Sequence, residues 1–227
     1  MTLSPHAAAA SLLRVVLLLV LAALLPCPVL AAAAPEEQPH WSLDFKGGYF
    51  YPAIEDWATY YGDNKTWQIG GSLAYKVLRQ VEIGIEGGII KDRGQAWTPI
   101  NGSITGSVDY ELYPASAFVV LRGILSEEQW VVPYVGGGYT KMFYRISVVD
   151  QGTTRGSTDG YYGKAGIQLL LDGLDQSAAN NLFMSYGINH TWFFFEVQRI
   201  TAKVNDVDGN EVDLGGTSYL WGLMLEF

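Results

Sequence analysis

A single cysteine, three histidines and only 14 basic side chains leave this chain few groups for thiol, imidazole or phosphate chemistry. No intrachain disulfide can form, and the one cysteine, Cys27, falls in an N-terminal apolar stretch expected to be removed, so the mature chain would hold no thiol. Charged residues make up 16% of the 227 residues and are unbalanced, with 14 Lys and Arg against 23 Asp and Glu, a formal charge of −9. Arg14 is the only charged side chain in the first 34 residues; without it 13 basic residues oppose 23 acidic ones, giving −10. Such an acidic surface argues against a nucleic-acid partner, because phosphate binding needs a basic stripe. After Ala34 no apolar run approaches the roughly 20 residues of a membrane helix.

What the chain does have begins with a leader. Arg14 precedes the apolar run 15–25, Pro26 and Pro28 break it, and the alanines at 31–34 offer a cleavage site. The expected organisation is a signal peptide at 1–33, a short segment at 34–40, and one domain from Trp41 to Phe227. The two prolines disfavour an uncleaved anchor, and Pro26 stands where a lipoprotein signal would need a small residue before Cys27.

From Trp41 onwards a period of two recurs. Trp41, Leu43, Phe45, Gly47, Tyr49 and Tyr51 alternate with Ser42, Asp44, Lys46 and Gly48, over the length of a tilted membrane strand. Trp67, Ile69, Gly71, Leu73, Tyr75 and Val77 start a second strand, and Val81, Ile83, Ile85, Gly87 and Ile89 a third, with only residues 78–80 to turn between them. A fourth strand runs from about Gly106 to Leu121, where Pro114 marks either a bulge or a change of phase. The fifth sets Trp130, Val132, Tyr134, Gly136, Gly138, Met142, Tyr144 and Ile146 on the apolar face, with Lys141 and Arg145 opposite. The sixth sets Gly163, Ala165, Ile167, Leu169 and Leu171 against Lys164, Gly166 and Gln168. The seventh is expected to carry Leu182, Met184, Tyr186, Ile188, His190, Trp192 and Phe194, and the last Tyr219, Trp221, Leu223, Leu225 and Phe227. Connections are expected to be long after the odd strands and short after the even ones, the pattern of bacterial barrels with external loops and periplasmic turns.

A soluble barrel would hide the apolar phase inside. Here the opposite phase is small and sparsely charged, which suits a narrow lumen with paired charges rather than a water-facing wall. The expected lumen charges are Lys46, Lys76, Glu82, Glu86, Lys141, Arg145, Lys164 and Glu226, with pairings set by the barrel shear. Aromatic residues gather at strand ends in the apolar phase, as interfacial girdles require. The fold class is therefore all-β, an eight-stranded antiparallel up-and-down transmembrane β-barrel behind a signal peptide.

The final alternation, Tyr219, Trp221, Leu223, Leu225 and Phe227, resembles the C-terminal assembly signal of bacterial outer-membrane barrels, and the run from Pro133 to Tyr139 resembles a middle strand of the small OmpA-like and OmpX-like barrels. This resemblance spans residues 41–227 and implies residence in the bacterial outer membrane, lipid as surroundings and the barrel-assembly machinery as a partner during insertion. It implies no cofactor, and no peptidoglycan-binding domain follows.

Candidate chemistry is thin. Lipid A deacylases of similar size carry a His-x-Ser motif, whereas His190 is followed by Thr191 and Trp192 and has no acidic neighbour in sequence; His40 precedes the first strand. The segment 206–213, with Asp206, Asp208, Glu211 and Asp213 around Gly209, lacks the later ligands of a calcium loop, so Asp208 and Gly209 are expected to form a hairpin turn and no metal is expected. Glu82 and Glu86 share the inward phase and are expected to be neutralised by basic residues across the lumen. Trp57, Tyr60, Tyr61 and Trp97, near Glu55, Asp56 and Asp63, lie in external loops, where they could contact a partner or pack over the barrel mouth. The expected function is non-enzymatic: a barrel anchoring external loops for a structural or surface-interaction role. The alternative is a narrow channel or uptake conduit for small molecules, hydrophobic ones included, as in OmpW-like proteins, with a continuous lumen or a lateral opening between strands near Pro114; a lipid-modifying enzyme comes last.

Overall fold

The computed structural model describes residues 39–54, 57–97, 104–126, 129–148, 152–205, 209 and 211–227. Residues 1–38, on which the expected signal peptide falls, and Glu55, Asp56, Asp206 and Asp208 lie outside these residues, as do the side chains of Tyr60 and Trp97. Strands β1 (Trp41–Pro52), β2 (Thr66–Leu78), β3 (Val81–Trp97), β4 (Ile104–Arg122), β5 (Val131–Val148), β6 (Gly152–Leu170), β7 (His190–Asn205) and β9 (Gly216–Glu226) pair antiparallel in succession, with β9 closing on β1. The three-residue β8 (Glu211–Asp213) extends β7 as a hairpin, and Gly209 between them takes the positive φ of 84° that glycine favours. Among the described residues two helices join these strands, α1 (Trp57–Tyr61) after β1 and α2 (Gln176–Tyr186) after β6.

Closure is what makes such a sheet self-sufficient, because an open edge would leave a row of backbone donors and acceptors without partners. The row of paired residues from Trp41 passes through Tyr75, Ile83, Val119, Gly137, Gly163, Arg199 and Thr217 and returns to β1 at Tyr51. The offset from 41 to 51 is a shear of ten residues, which tilts the strands by roughly 40°. The Trp41 and Phe227 amides and carbonyls bond each other reciprocally at 2.9 and 3.0 Å, sealing the seam at the end where the barrel segment starts and stops.

Alternation holds as expected in β1, β2, β3, β6 and β9, with Phe45, Ile69, Ile85, Ile167 and Leu223 exposed on the outer wall. In β5 the phase is the reverse of the expected one. Val132, Tyr134, Thr140 and Met142 are buried inside, while Val131, Pro133, Tyr139, Phe143, Lys141 and Arg145 face out. Both phases of this strand are apolar because its inward residues enter two packed clusters, Val132 with Trp192, Phe194 and Met224, and Tyr134 and Met142 with Phe118 and Leu112, so periodicity alone does not choose between them.

The segment 182–186 is helix, not strand. The Asp175 side chain accepts from the Ala178 amide at 2.9 Å and Gly187 closes the last turn at φ 70°, while the helix contains no β-branched residue. The strand starts at His190 and continues to Asn205 through a stretch expected to be loop, with Trp192 and Phe194 pointing inward and Phe195 outward. The connection after β6 is consequently long, contrary to expectation. Pro114 makes neither a bulge nor a phase change. The β3–β4 register is the same at Gly87↔Ala115 and Ile90↔Leu112, and only the pairings between them are missing, where proline has no N–H to give.

Candidate functional site in the barrel interior

Inward residues fall into layers. At the end holding residues 41 and 227, Arg122 from β4 donates from Nη1 to Glu82 on β3 at 2.8 Å and also to Glu226 on β9. Lys76 meets the other Glu226 oxygen at 2.8 Å, Ser42 donates to Glu82 at 3.4 Å, and the guanidinium lies 5.2 Å from the Trp192 ring centroid. This layer is charge-balanced, two cations against two carboxylates.

Above it, Lys46 sits between Glu86 at 2.8 Å and Glu196 at 2.9 Å. Lys164 pairs with Glu86 at 2.8 Å, stands 3.7 Å from Glu196, and lies 3.9 Å from the Phe118 ring centroid. Gln198 and the Tyr134 hydroxyl donate to the remaining carboxylate oxygens at 2.6 and 2.9 Å, and Ser72 donates to nearby Asp44. All these charges are buried, a condition tolerable only because each has opposite charge and hydrogen bonds around it. A cavity of about 20 Å³ beside Asp44, Tyr134 and Gln168 has room for about one water molecule.

The outer layer is mainly apolar, and its buried polar side chains are uncharged, such as Ser218, which donates to Gln68 at 2.6 Å. Phe50, Ile90, Tyr110, Leu112, Met142, Ile200 and Ala202 pack as a buried core inside the barrel. Helix α1 folds into this mouth. Trp57, 4% exposed, stacks on Tyr61 at 3.8 Å between centroids and meets Tyr110 edge-on at 5.0 Å. Of the two readings of these loop aromatics, packing over the mouth is the one realised for Trp57 and Tyr61. Burial and the Asp92 charge push the Tyr61 hydroxyl up to about 12.

Six of the eight expected lumen charges are inside: Lys46, Lys76, Glu82, Glu86, Lys164 and Glu226. Lys141 and Arg145 are not. They stand on the outer wall, Lys141 2.8 Å from Asp159 and Arg145 3.8 Å from Glu111, because the β5 phase is reversed. Asp44, Arg122 and Glu196 were missed. Asp44 and Arg122 continue inward phases already legible, whereas Glu196 lay in a stretch taken for loop. Tyr219, Trp221, Leu223 and Leu225 face out from β9, and Phe227 ends at the seam.

His190 does have an acidic partner, supplied from elsewhere in the chain. Its Nδ1 is 2.7 Å from Asp172, whose other oxygen accepts the Thr191 amide at 2.9 Å. Among the described residues no Ser or Thr hydroxyl is hydrogen-bonded to this ring, and no cluster of three or more His, Cys, Asp or Glu is placed to hold a metal.

An apolar outer band this extensive, encircling a polar core, is the inverse of a soluble barrel and defines a membrane-spanning β-barrel. The family described as outer membrane protein beta-barrel domain matches residues 17–224, and the chain belongs to it. Its fold is similar to the crystal structure of Neisserial surface protein A (TM-score 0.52, 12% identity, 82% of this chain and 97% of that one). It is also similar to the outer membrane protein OprG from Pseudomonas aeruginosa (TM-score 0.54, 12% identity, 84% and 97%). No curated protein sequence matches significantly.

Proposed function

We propose that this protein is a closed, non-enzymatic anchor of the bacterial outer membrane. The barrel fixes its external loops at the cell surface, its termini lie in the periplasm, and β9 presents Tyr219, Trp221, Leu223, Leu225 and Phe227 to the assembly machinery. The observation that carries this reading is the doubly blocked lumen: a buried ion-pair layer below and an apolar core capped by Trp57 above. An ion entering from outside would be stripped of water in the apolar layer before it met any compensating charge.

A second reading is favoured by one feature. The packed apolar layer beneath α1 would offer a small apolar molecule a matching surface if α1 withdrew. Planar-bilayer recording of the folded protein separates closed from conducting barrels. The expected result is an electrically silent bilayer; steady, reproducible conductance steps would overturn the closed-anchor reading.

A further inference from the structure

Helix α2 is anomalous for a soluble element. It spans 11 residues, buries none of them, and contains no charged side chain. A helix this short is marginal in water on its own, and most helical stability in proteins comes from packing one apolar face. The caps at Asp175 and Gly187 fix its ends but supply no such face.

The face exists and is unused. Ala179, Leu182, Phe183 and Tyr186 follow the i, i+3, i+4, i+7 spacing of an apolar stripe, with Gln176 at its N-terminal end; Ser177, Asn180 and Asn181 lie away from it, and Met184 departs from the pattern. Ala179 and Leu182 are half-buried, but Phe183 and Tyr186 are 52% and 76% exposed, as is Leu174 just before the helix at 75%.

The helix is also continuous with the lipid-facing wall. It joins the end of β6 to the start of β7, whose exposed outward residues near this end include Ile167 and Phe195. Next to it Trp130, 58% exposed, immediately precedes β5, with its indole against Gly173, so close that a Cβ there would lie 3.0 Å from the ring. The Trp130 carbonyl accepts the Leu170 amide at 2.9 Å, which ties this ring to the root of the helix. An apolar surface thus runs from the barrel belt through Trp130 and Leu174 onto α2, with no charge interrupting it between Gln176 and Tyr186.

We propose that α2 is an interfacial helix. It lies in the lipid leaflet at the end of the barrel that holds the termini, with Phe183 and Tyr186 among the acyl chains and Asn181 towards the headgroups and water. Its partner is the membrane itself, held through apolar burial rather than through anionic lipid, since the helix has no Lys or Arg. This inference rests on the membrane-spanning reading of the barrel.

The test is site-directed nitroxide labelling of the full chain carrying Cys27→Ser, folded into vesicles of phosphatidylethanolamine and phosphatidylglycerol. Single substitutions Phe183→Cys, Tyr186→Cys and Asn181→Cys carry the label, with Ile83→Cys on the outer wall of β3 as the control. Collision with lipid-soluble oxygen is compared with collision with a water-soluble nickel chelate. Expected is an oxygen-to-nickel ratio several-fold higher at positions 183 and 186 than at 181, and approaching that at 83. Equal nickel access at 181, 183 and 186 would place α2 in water and overturn the inference. Shielding of 183 and 186 from both reagents would mean a protein contact, a second copy included, and would overturn it equally. A control at 83 open to nickel would show instead that the membrane-spanning reading has failed, and the inference with it.

Discussion

Lys46→Met tests the energetic logic of the lumen. Lys46 is 1% exposed and bridges Glu86 and Glu196; methionine keeps the length of the side chain and removes the charge. Glu86 would retain Lys164 at 2.8 Å and Gln198 at 2.6 Å, but Glu196 would keep only the Tyr134 hydroxyl at 2.9 Å and Lys164 at 3.7 Å. With Asp44 nearby, three carboxylates would share one ammonium. Breaking a buried pair by deleting one partner costs about 3–5 kcal/mol. Against a urea slope of about 2 kcal/mol per molar, the unfolding midpoint should fall by roughly 2 M. The assay is urea unfolding of the vesicle-inserted barrel followed by tryptophan fluorescence, for Lys46→Met, Glu196→Gln and the double variant. The double variant should recover most of the loss, because neutralising Glu196 removes the stranded charge. On the outer wall, Lys141→Met breaks an exposed pair and should leave the midpoint unchanged. A Lys46→Met midpoint equal to wild type, or a double variant as unstable as the two single losses added together, would refute the reasoning.

Two further outcomes follow from close packing and from the mouth. A Cβ at Gly138 would be driven onto the Ala117 carbonyl oxygen, whereas one at Gly87 meets nothing within 4 Å; Gly138→Ala should therefore lose the compact, heat-modifiable band on gels while Gly87→Ala keeps it, and equal yields would contradict the packing. Because burial and Asp92 raise the Tyr61 hydroxyl from 10 to about 12, the docked α1 favours the protonated ring. Its contribution is fully present below pH 10 and is lost as pH rises through 12. The ring carbon resonance abolished by Tyr61→Phe should titrate near 12, and a midpoint near 10 would mean that α1 is not docked.

Strands whose inward residues are small or charged were legible in the sequence, since only one phase could then be apolar. In β1, Ser42, Asp44, Lys46 and Gly48 leave no doubt about which side faces in, and β3 repeats this with Glu82 and Glu86. The reading failed where the lumen turns apolar. Met142 in β5 and Trp192 and Phe194 in β7 are as hydrophobic as the outer wall, and the four aromatics from Trp192 to Phe195 erase the alternation altogether. Lys141 and Arg145 misled for a related reason. On an outer wall beyond the apolar band, charge is as acceptable as it is inside, so a charge marks the lumen only at membrane depth. The Asp172–His190 contact had no sequence signal, because α2 and its flanking turns separate the two residues.

The layered interior keeps its buried ion pairs apart from the outer half, where the buried polar side chains Gln68, Thr140 and Ser218 are uncharged. Charged groups in the lower lumen compensate one another across strands far apart in sequence, Lys46 with Glu196 and Arg122 with Glu226. Such pairs stabilise only after the sheet has closed, and before closure each charge would face lipid or solvent without its partner. Phe50, Ile90, Leu112 and Ile200 need no exact partner, because apolar contact is non-directional and tolerates imperfect register while the barrel forms. Putting the undirected packing at the outer mouth and the directional pairs deeper makes the two layers complementary. The apolar layer excludes water from above, which strengthens the ion pairs beneath it.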